Sequence, residues 1–577
     1  MASPPQAFAD GLRRNLPALG LLLLLGYLVV VPLALLLVAS FKPTGLPLDP
    51  GWSLKSYGDV YGDAGFYRLT LTTLKFALGC TFGALAVGGT VAWLVERTDL
   101  PYKRTARVMI VVPMVLPPFL LAMGWALLAS PRTGFFTLLL QDSLALAGPP
   151  LNVYSVTGMI FVETLALVPS TFLILSPAFR NMDPALEEAA MTSGASFAQM
   201  LRRVFIPILA PALLAATAYL LMVGFLVFDV PGTLGMPVGI FVLSSRIVYL
   251  ASDQSGGISA YQLISAMAVT FLALLLALAS VYRRYTRKAS RYVTVTGKGY
   301  RPRLHRLGRA APLALAFVAA YFLLSVVAPL SILAWTSLMP YQAPVSVEML
   351  GKMSLANHVE ALRNPRVTQA TWNSIWVSGL SATLVCAIAL LSSWVTLRTR
   401  QAGRQLIDTL AFLPIAIPGT MIGMALIYVY LTLNFIPIYG TPWILVVAFA
   451  TVYLSFTSRT ANGVLIQLHR ELEDAARVCG ASTLVTLTRI VAPLILPALL
   501  GAWIWVVAHV MRELSTALLL RGEDNAMLAV LLWDYWSGGQ PNKAAAVGVW
   551  LVVLMGIATI GWQLIASPSR QDATRQR

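Results

Sequence analysis

The chain has 577 residues, of which 58% are hydrophobic and 11% charged, and its mean hydropathy is +0.76. A soluble domain carries about a quarter charged residues, so this composition excludes a water-soluble globular fold. The formal net charge of +17 does not indicate a nucleic-acid interface, because the basic residues fall in short loops between apolar blocks.

The apolar residues form about twelve long blocks, each near the roughly 20 residues that a helix needs to cross a bilayer. Backbone groups in lipid must bond within the chain, and the blocks are too long for the strands of a barrel. The sequence therefore predicts an all-α polytopic membrane protein. The predicted spans are 16–41, 69–95, 107–130, 153–178, 206–229, 260–284, 311–335, 369–397, 406–432, 441–463, 491–515 and 544–566.

Basic residues cluster on one side of these spans. The segment 282–309 holds ten Lys and Arg residues and no acid, and smaller basic clusters lie at 97–107 and 398–404. Such loops stay in the cytoplasm. With an even number of spans, the N-terminus and the C-terminus are both expected on the cytoplasmic side of a multi-pass protein.

Residues in the first part of the chain recur in the second. This period predicts two parallel halves of about six spans, with the substrate path at their interface. The halves are 1–285 and 311–577, and a basic cytoplasmic linker, 286–310, joins them. Matches at an offset of 301 are Trp93/Trp394, Arg97/Arg398, Pro113/Pro414 and Pro117/Pro418, and matches at an offset of 286 are Glu187/Glu473, Gly194/Gly480, Ser196/Ser482 and Pro207/Pro493.

Two matching polar segments, 183–211 and 469–497, are predicted on the cytoplasmic side. Each begins as a short helix with acids in its first turn, followed by a glycine that favours a left-handed helix end and a proline that starts the next span. These segments are too polar to span and too apolar for free loops, which indicates docking elements. Their central residues are Glu187, Glu188, Ala189, Ala190 and Gly194 in the first copy and Glu473, Asp474, Ala475, Ala476 and Gly480 in the second.

This pattern resembles the Glu-Ala-Ala loop of ABC importer permeases, here carried twice in a fused, two-half form. The resemblance implies that the two loops are coupling helices and that the partners are two copies of an ATPase subunit and a periplasmic binding protein. It also implies a bacterial inner membrane and a transport subunit that is not an enzyme. The sequence has no Gly-Lys-Ser/Thr phosphate loop, so the chain is expected to bind no cofactor, with ATP and magnesium on the partner ATPase.

Three stretches bear on the substrate. VTVTGKGYRP from Val293, FDVPGTLG from Phe228 and MRELSTALLLRG from Met511, together with the fused arrangement, resemble ferric-iron uptake permeases. The resemblance favours ferric iron as the cargo. Thiamine, polyamine, sulfate and phosphonate permeases share the same broad branch and stay open as alternatives.

Acids within spans are costly and therefore mark candidate pathway residues. Asp229 and Glu513 lie at matching positions near the outer ends of two spans. Two such carboxylates suit a trivalent cation, because hard cations prefer oxygen ligands, or each instead caps or pairs locally, as Glu513 with Arg512 or His509. Glu163 has no acidic counterpart and either lines the path or bonds to a neighbouring helix. The sequence predicts no certain metal ligands.

Prolines interrupt two of the predicted spans, and the resulting breaks mark either a binding site or packing kinks. The main rival class is a secondary transporter driven by an ion gradient, which also has two parallel repeats. The duplicated polar loops and the shortage of ionisable residues in the spans argue against that class. The interrupting prolines are Pro113, Pro117, Pro118, Pro414 and Pro418.

Overall fold

The computed structural model describes residues 16, 18–182, 192–194, 196–252, 259–289, 304–432 and 436–566. Within these residues the backbone is helical apart from connecting loops, and the single bridge of extended type pairs Thr98 with His305. The all-α fold expected from the sequence is confirmed.

The first half contains ten named helices. A short helix, Phe197–Met200, leads into the eighth of them. The ten are α1 (Ala18–Ser40), α2 (Lys55–Gly62), α3 (Ala64–Arg97), α4 (Lys103–Val111), α5 (Pro118–Ala129), α6 (Phe135–Ser143), α7 (Val156–Arg180), α8 (Arg202–Leu226), α9 (Leu243–Ser252) and α10 (Ser259–Ala289).

The second half repeats this order with small additions. Its helices are α11 (Gly308–Leu338), α12 (Val347–Leu350), α13 (Ala356–Arg363), α14 (Pro365–Arg398), α15 (Arg404–Phe412), α16 (Gly419–Thr432), α17 (Pro442–Val452), α18 (Leu454–Gln467), α19 (Glu471–Val478), α20 (Thr483–Met511), α21 (Ser515–Leu519), α22 (Leu528–Ser537) and α23 (Pro541–Ala566).

Among the described residues, nine helices are long and apolar enough to cross a membrane, and four bent pairs of helices bring the total to as many as 13. The predicted spans are all found in this set: nine match unbroken helices, and three match the bent pairs α4/α5, α15/α16 and α17/α18. The fourth bent pair, Pro231–Val238 with α9, is bent by 68° and lies in a region that the sequence analysis assigned to a loop.

The first long helix of each half packs against the other half. Helix α1 packs on α16, and α11 packs on α5. The Tyr27 hydroxyl donates to the Tyr430 hydroxyl over 2.9 Å, and Trp125 Nε1 donates to the Leu324 carbonyl over 3.2 Å. This reciprocal exchange is the arrangement expected of two parallel repeats.

The predicted proline breaks are present in both halves. A short 3-10 turn, Val112–Val115, separates α4 from α5, and the two helices meet at 96°. The matching turn, Leu413–Ala416, separates α15 from α16 at 113°. Proline supplies no backbone N–H and therefore interrupts the helical hydrogen-bond series at these points.

Candidate coupling loops and substrate pathway

The second coupling loop is a short amphipathic helix with a tight end. Helix α19 ends at Val478, and Gly480 has a φ of +81°. The N–H of Ala481 donates to the Ala476 carbonyl, and the N–H of Gly480 donates to the Arg477 carbonyl, both over 3.0 Å. This pair of hydrogen bonds is the Schellman motif, in which glycine accepts a left-handed conformation without a Cβ penalty. The predicted glycine stop is confirmed at this position.

Glu473 points into the protein. Its Oε1 lies 3.0 Å from Nε of Arg398, and both side chains are almost fully buried. Arg398 Nη2 also donates to the carbonyls of Leu465 and Leu468, over 2.6 and 2.7 Å. The arginine at the end of α14 thus holds the start of the coupling loop through an ion pair with Glu473 and through hydrogen bonds to two carbonyls that precede the loop.

The opposite face of this loop is open and partly apolar. Val478 is 88% exposed and Leu484 is 69% exposed. Asp474 and Ala475 share this exposed face, and Asp474 pairs only at the surface, with Arg477 at 3.5 Å. The two successive acids of the motif therefore have different surroundings, which the sequence alone does not distinguish.

The first coupling loop is described only in part. Glu187, Glu188, Ala189 and Ala190 lie outside the described residues. After them, Gly194 has a φ of +74°.

Two groups of hydrogen bonds are described at this first loop, one within it and one just before it. The Ser196 N–H donates to Gln199 Oε1 over 2.9 Å, and the Gln199 N–H donates to Ser196 Oγ over 3.3 Å, which is a capping box. Before the loop, buried Arg97 donates to the Met182 carbonyl over 3.4 Å. Arg97 thus lies beside the first loop, as its counterpart Arg398 lies beside the second.

The three predicted pathway acids lie in one electrostatic neighbourhood. Asp229 follows the end of α8, Glu513 follows the end of α20, and Glu163 lies within α7. The charged groups that act on Asp229 are Glu513, Glu163 and Arg512. The structure therefore brings carboxylates of both halves towards one region at the interface.

Glu513 is held by local hydrogen bonds. Its Oε1 accepts from Ser515 Oγ over 2.6 Å, from Thr516 Oγ1 over 3.1 Å and from the Thr516 N–H over 3.3 Å. Tyr453 OH donates to its Oε2 over 3.4 Å. The Glu513 carboxylate thus accepts hydrogen bonds from the first two residues of α21 and from Tyr453. Its hydrogen-bond partners are not Arg512 and His509, which the sequence had suggested.

Glu163 and Asp229 are less well satisfied than Glu513. Glu163 is 2% exposed, and among the described residues its Oε2 has no hydrogen-bond partner. Among the described residues the Asp229 carboxylate accepts no hydrogen bond, and the main-chain carbonyl of Asp229 accepts from Thr233 Oγ1 over 2.7 Å. A buried carboxylate oxygen without a partner is costly, which is a mark of functional positions within membranes.

An aromatic group borders this cluster, and sequence reasoning did not identify it. Trp505 stacks on Phe456 on one side and on His509 on the other, each with ring centroids 3.7 Å apart. Tyr453, which bonds to Glu513, lies at the 47° bend between α17 and α18. A proline search misses this bend, because no proline lies between these two helices.

A cavity of about 510 Å³ opens between the halves on the side away from the coupling loops. Both halves line it, with Tyr154 and Thr233 from the first and Trp533 and Trp536 from the second. Thr233 also donates to the main-chain carbonyl of Asp229, so one wall of the cavity adjoins the segment that carries this acid. Within the described residues, no group of three or more His, Cys, Asp or Glu side chains is arranged to hold a metal ion.

Comparison with known proteins places this geometry in a family. The model of the family described as "Binding-protein-dependent transport system inner membrane component" matches residues 84–291 and 387–570, one match in each half. A ferric transport system permease protein of Actinobacillus pleuropneumoniae is 25% identical over 564 residues, covering 96% of this chain and 78% of the relative.

Two further relatives extend the comparison. An Fe(3+)-transport system permease protein of Haemophilus influenzae is 24% identical, over 85% of this chain and 88% of its own length. A sulfate transport system permease protein of Salmonella typhimurium is 30% identical over 167 residues, which are 27% of this chain and 59% of the relative. The family model covers more than half of the chain, so the protein belongs to the binding-protein-dependent transport system inner membrane components and is a multi-pass permease subunit of an ABC importer.

Proposed function

We propose that this permease passes ferric iron from a periplasmic binding protein to the cytoplasm. The observation that carries the proposal is the length of the likeness to ferric transport permeases, which reaches 96% of this chain in one relative and 85% in another. The likeness to a sulfate permease covers only 27% of the chain.

The charge of the interface supports a cationic cargo. Asp229, Glu513 and Glu163 contribute three carboxylates to one neighbourhood, against the single guanidinium of Arg512. An excess of carboxylate oxygens favours a hard cation and disfavours sulfate or a phosphonate. In this proposal the three acids lie along the pathway and contact iron in passing. Thiamine and polyamines are also cations, and they form the alternative cargoes for the experiment below.

The energy for transport is proposed to come from two ATPase subunits, one on each coupling loop. ATP and magnesium belong to those subunits, and this chain binds neither. The loops, the linker 286–310 and both termini lie on the cytoplasmic side, and the halves 1–285 and 311–577 rock about the interface. Because a ligand shifts an equilibrium only through differential affinity, ATP must favour one of the two global states.

Within the second loop, the proposal divides the residues by face. Glu473 and Ala476 hold the loop on the permease, whereas Asp474, Ala475 and the exposed Val478 enter the ATPase groove. Gly480 sets the turn between the two short helices. The repeat assigns the same roles to Glu187 and Ala190, to Glu188 and Ala189, and to Gly194.

The experiment is uptake into proteoliposomes that contain the permease with its cognate ATPase and binding protein. Ferric iron, thiamine, a polyamine, sulfate and a phosphonate are offered in parallel, and ATP hydrolysis is measured with each. ATP-dependent uptake of ferric iron alone supports the proposal. Uptake of another cargo in place of iron would overturn the substrate and leave the family unchanged. Uptake driven by an ion gradient without ATP would overturn the coupling mechanism.

A further inference from the structure

An arginine of the second half reaches into the helix break of the first half. Arg512 directly follows the last residue of α20. Its Nη1 donates to the main-chain carbonyl of Met114 over 2.5 Å. Met114 lies in the 3-10 turn between α4 and α5, so the hydrogen bond crosses the interface between the halves.

The sequence of the first half leaves this carbonyl without a helical donor. The Met114 oxygen would accept from residue 118 in an α-helix and from residue 117 in a 3-10 helix. Both positions are proline, which has no N–H. A carbonyl shielded from water is destabilising without a partner, and at this half-buried turn Arg512 supplies the donor.

The same guanidinium lies among the pathway acids. Its charged neighbours are Asp229 of the first half and Glu513 of the second, together with the phenol groups of Tyr453 and Tyr219. Glu513 already accepts hydrogen bonds from Ser515 and Thr516, whereas Asp229 receives none from the described side chains. Arg512 is therefore a positive charge of the second half in the neighbourhood of Asp229, without a direct ion pair between the two side chains.

We propose that Arg512 is a tethered counter-ion that fastens the two halves together and occupies the acid cluster until cargo arrives. Its main-chain hydrogen bond holds the break of α4 and α5 against the end of α20. When the halves separate, the guanidinium leaves Met114, and the acids become available to the cargo. The exchange of guanidinium for cargo rests on the proposed function, whereas the fastening does not.

The test compares variants of the full transporter, assembled with its ATPase in liposomes, by their ATP hydrolysis in the absence of binding protein. R512M removes the charge and the donor, whereas R512K keeps the charge. R521Q is the matched control, since Arg521 is exposed and pairs with Asp534 over 2.7 Å. R512M is expected to raise basal hydrolysis several-fold, with R512K between it and the wild type. The control is expected to match the wild type.

A double variant guards against simple misfolding. R512M leaves Asp229 unbalanced, whereas D229N/R512M removes both charges, so the double variant is expected to be monodisperse on size exclusion even if R512M is not. Its basal hydrolysis should still exceed that of D229N alone, because the fastening to Met114 is lost. Basal hydrolysis equal to wild type in R512M, or equal in D229N and D229N/R512M, would overturn the inference. Failure of wild-type iron uptake would overturn the proposed function without affecting these comparisons.

Discussion

Each half of the permease contains a proline break at the matching position, but the contacts around the two breaks differ. In the first half the break ends in Pro117 and Pro118, and Arg512 of the other half supplies the missing donor. In the second half the matching pair is Pro418 and Gly419, which keeps an N–H at the second position. A Cβ on Gly419 would overlap Thr516 Oγ1 and lie 3.3 Å from Glu513 Oε1. The close contacts at Gly419 are therefore with Thr516 and Glu513 of the same half.

This difference shows that the bends of the two repeats are alike, whereas the residues around the bends are not. The bends are similar, at 96° and 113°, because proline imposes them locally. The residues that could donate a hydrogen bond to each break differ between the halves. Phe228 precedes Asp229 in the first half, whereas Arg512 precedes Glu513 in the second. The coupling side has stayed symmetric, with an arginine beside each loop at Arg97 and Arg398. We infer that symmetry is kept beside the candidate coupling loops and lost along the candidate pathway.

The largest expected effect is on the symmetric side. Arg398→Ala leaves the buried Glu473 carboxylate unpaired and removes the donor to the Leu465 and Leu468 carbonyls. Breaking a buried pair from one side costs about 3–5 kcal/mol. We expect a lower melting temperature and loss of ATPase binding, measured by thermal unfolding in detergent and by co-purification of the ATPase.

The control for the melting temperature is Asp474→Asn, whose exposed pair with Arg477 contributes at most about 1 kcal/mol to stability. Arg97→Ala tests whether the first loop is held in the same way, and it should destabilise the protein to a similar extent. A mild effect of Arg398→Ala, similar to that of Asp474→Asn, would contradict the anchoring role. A mild effect of Arg97→Ala alone would show that the symmetry stops at the loops.

The next effect lies at the second-half break. Gly419→Ala places a methyl group against Thr516 and the fixed carboxylate of Glu513. Overpacking at a rigid contact costs up to about 3 kcal/mol. We expect reduced stability and slower ATP-dependent uptake in proteoliposomes. Gly463→Ala in α18 is the control, since its Cβ would meet no atom within 4 Å; it should leave uptake unchanged and raise stability by up to about 1 kcal/mol through helix propensity. Equal behaviour of the two variants would contradict the close approach.

A third effect lies where the halves exchange their first helices. A Cβ on Gly124 would lie 2.6 Å from Pro329 Cβ, whereas the matching residue of the second half is already Ala425. We expect Gly124→Ala to cost about 2 kcal/mol, since α5 and α11 must move apart. Thermal unfolding measures this cost, and Ala425→Gly provides the comparison on the other side of the interface. A stabilising Gly124→Ala would mean that the two exchanged contacts are equivalent after all.

The sequence predicts the fold well because its signals are local or periodic. Long apolar blocks, a period near half the chain and prolines within blocks predict the spans, the repeat and the breaks, and the structure contains all three. The sequence analysis missed the bent pair formed by Pro231–Val238 and α9, because its apolar stretches are short and glycine-rich. Length alone does not separate such a segment from a loop.

The candidate site is predicted less completely, because its contacts join distant residues. The acids Asp229, Glu163 and Glu513 were found by their cost within spans. The inward direction of Glu473 and the reach of Arg512 to Met114 depend on tertiary packing, over separations of 75 and 398 residues. The sequence did carry half of this signal, because the pair Pro117–Pro118 leaves the Met114 carbonyl without a helical donor.

The smallest expected effect tests the symmetry of the coupling loops most directly. Gly194 and Gly480 have φ values of +74° and +81°, and a Cβ on either would meet no atom within 4 Å. Substitution by alanine therefore costs only the left-handed backbone penalty, about 1 kcal/mol in each loop. Gly480→Asn is the control, because asparagine tolerates this conformation better than alanine does.

A valine at either position adds bulk on the docking face, and we expect it to weaken ATPase binding while membrane insertion is kept. If the two loops engage two equal ATPases, Gly194→Val and Gly480→Val will reduce ATPase binding and uptake equally. If one loop tolerates valine with normal uptake, the coupling loops differ as the two breaks do, and the symmetry inferred for the docking side is wrong.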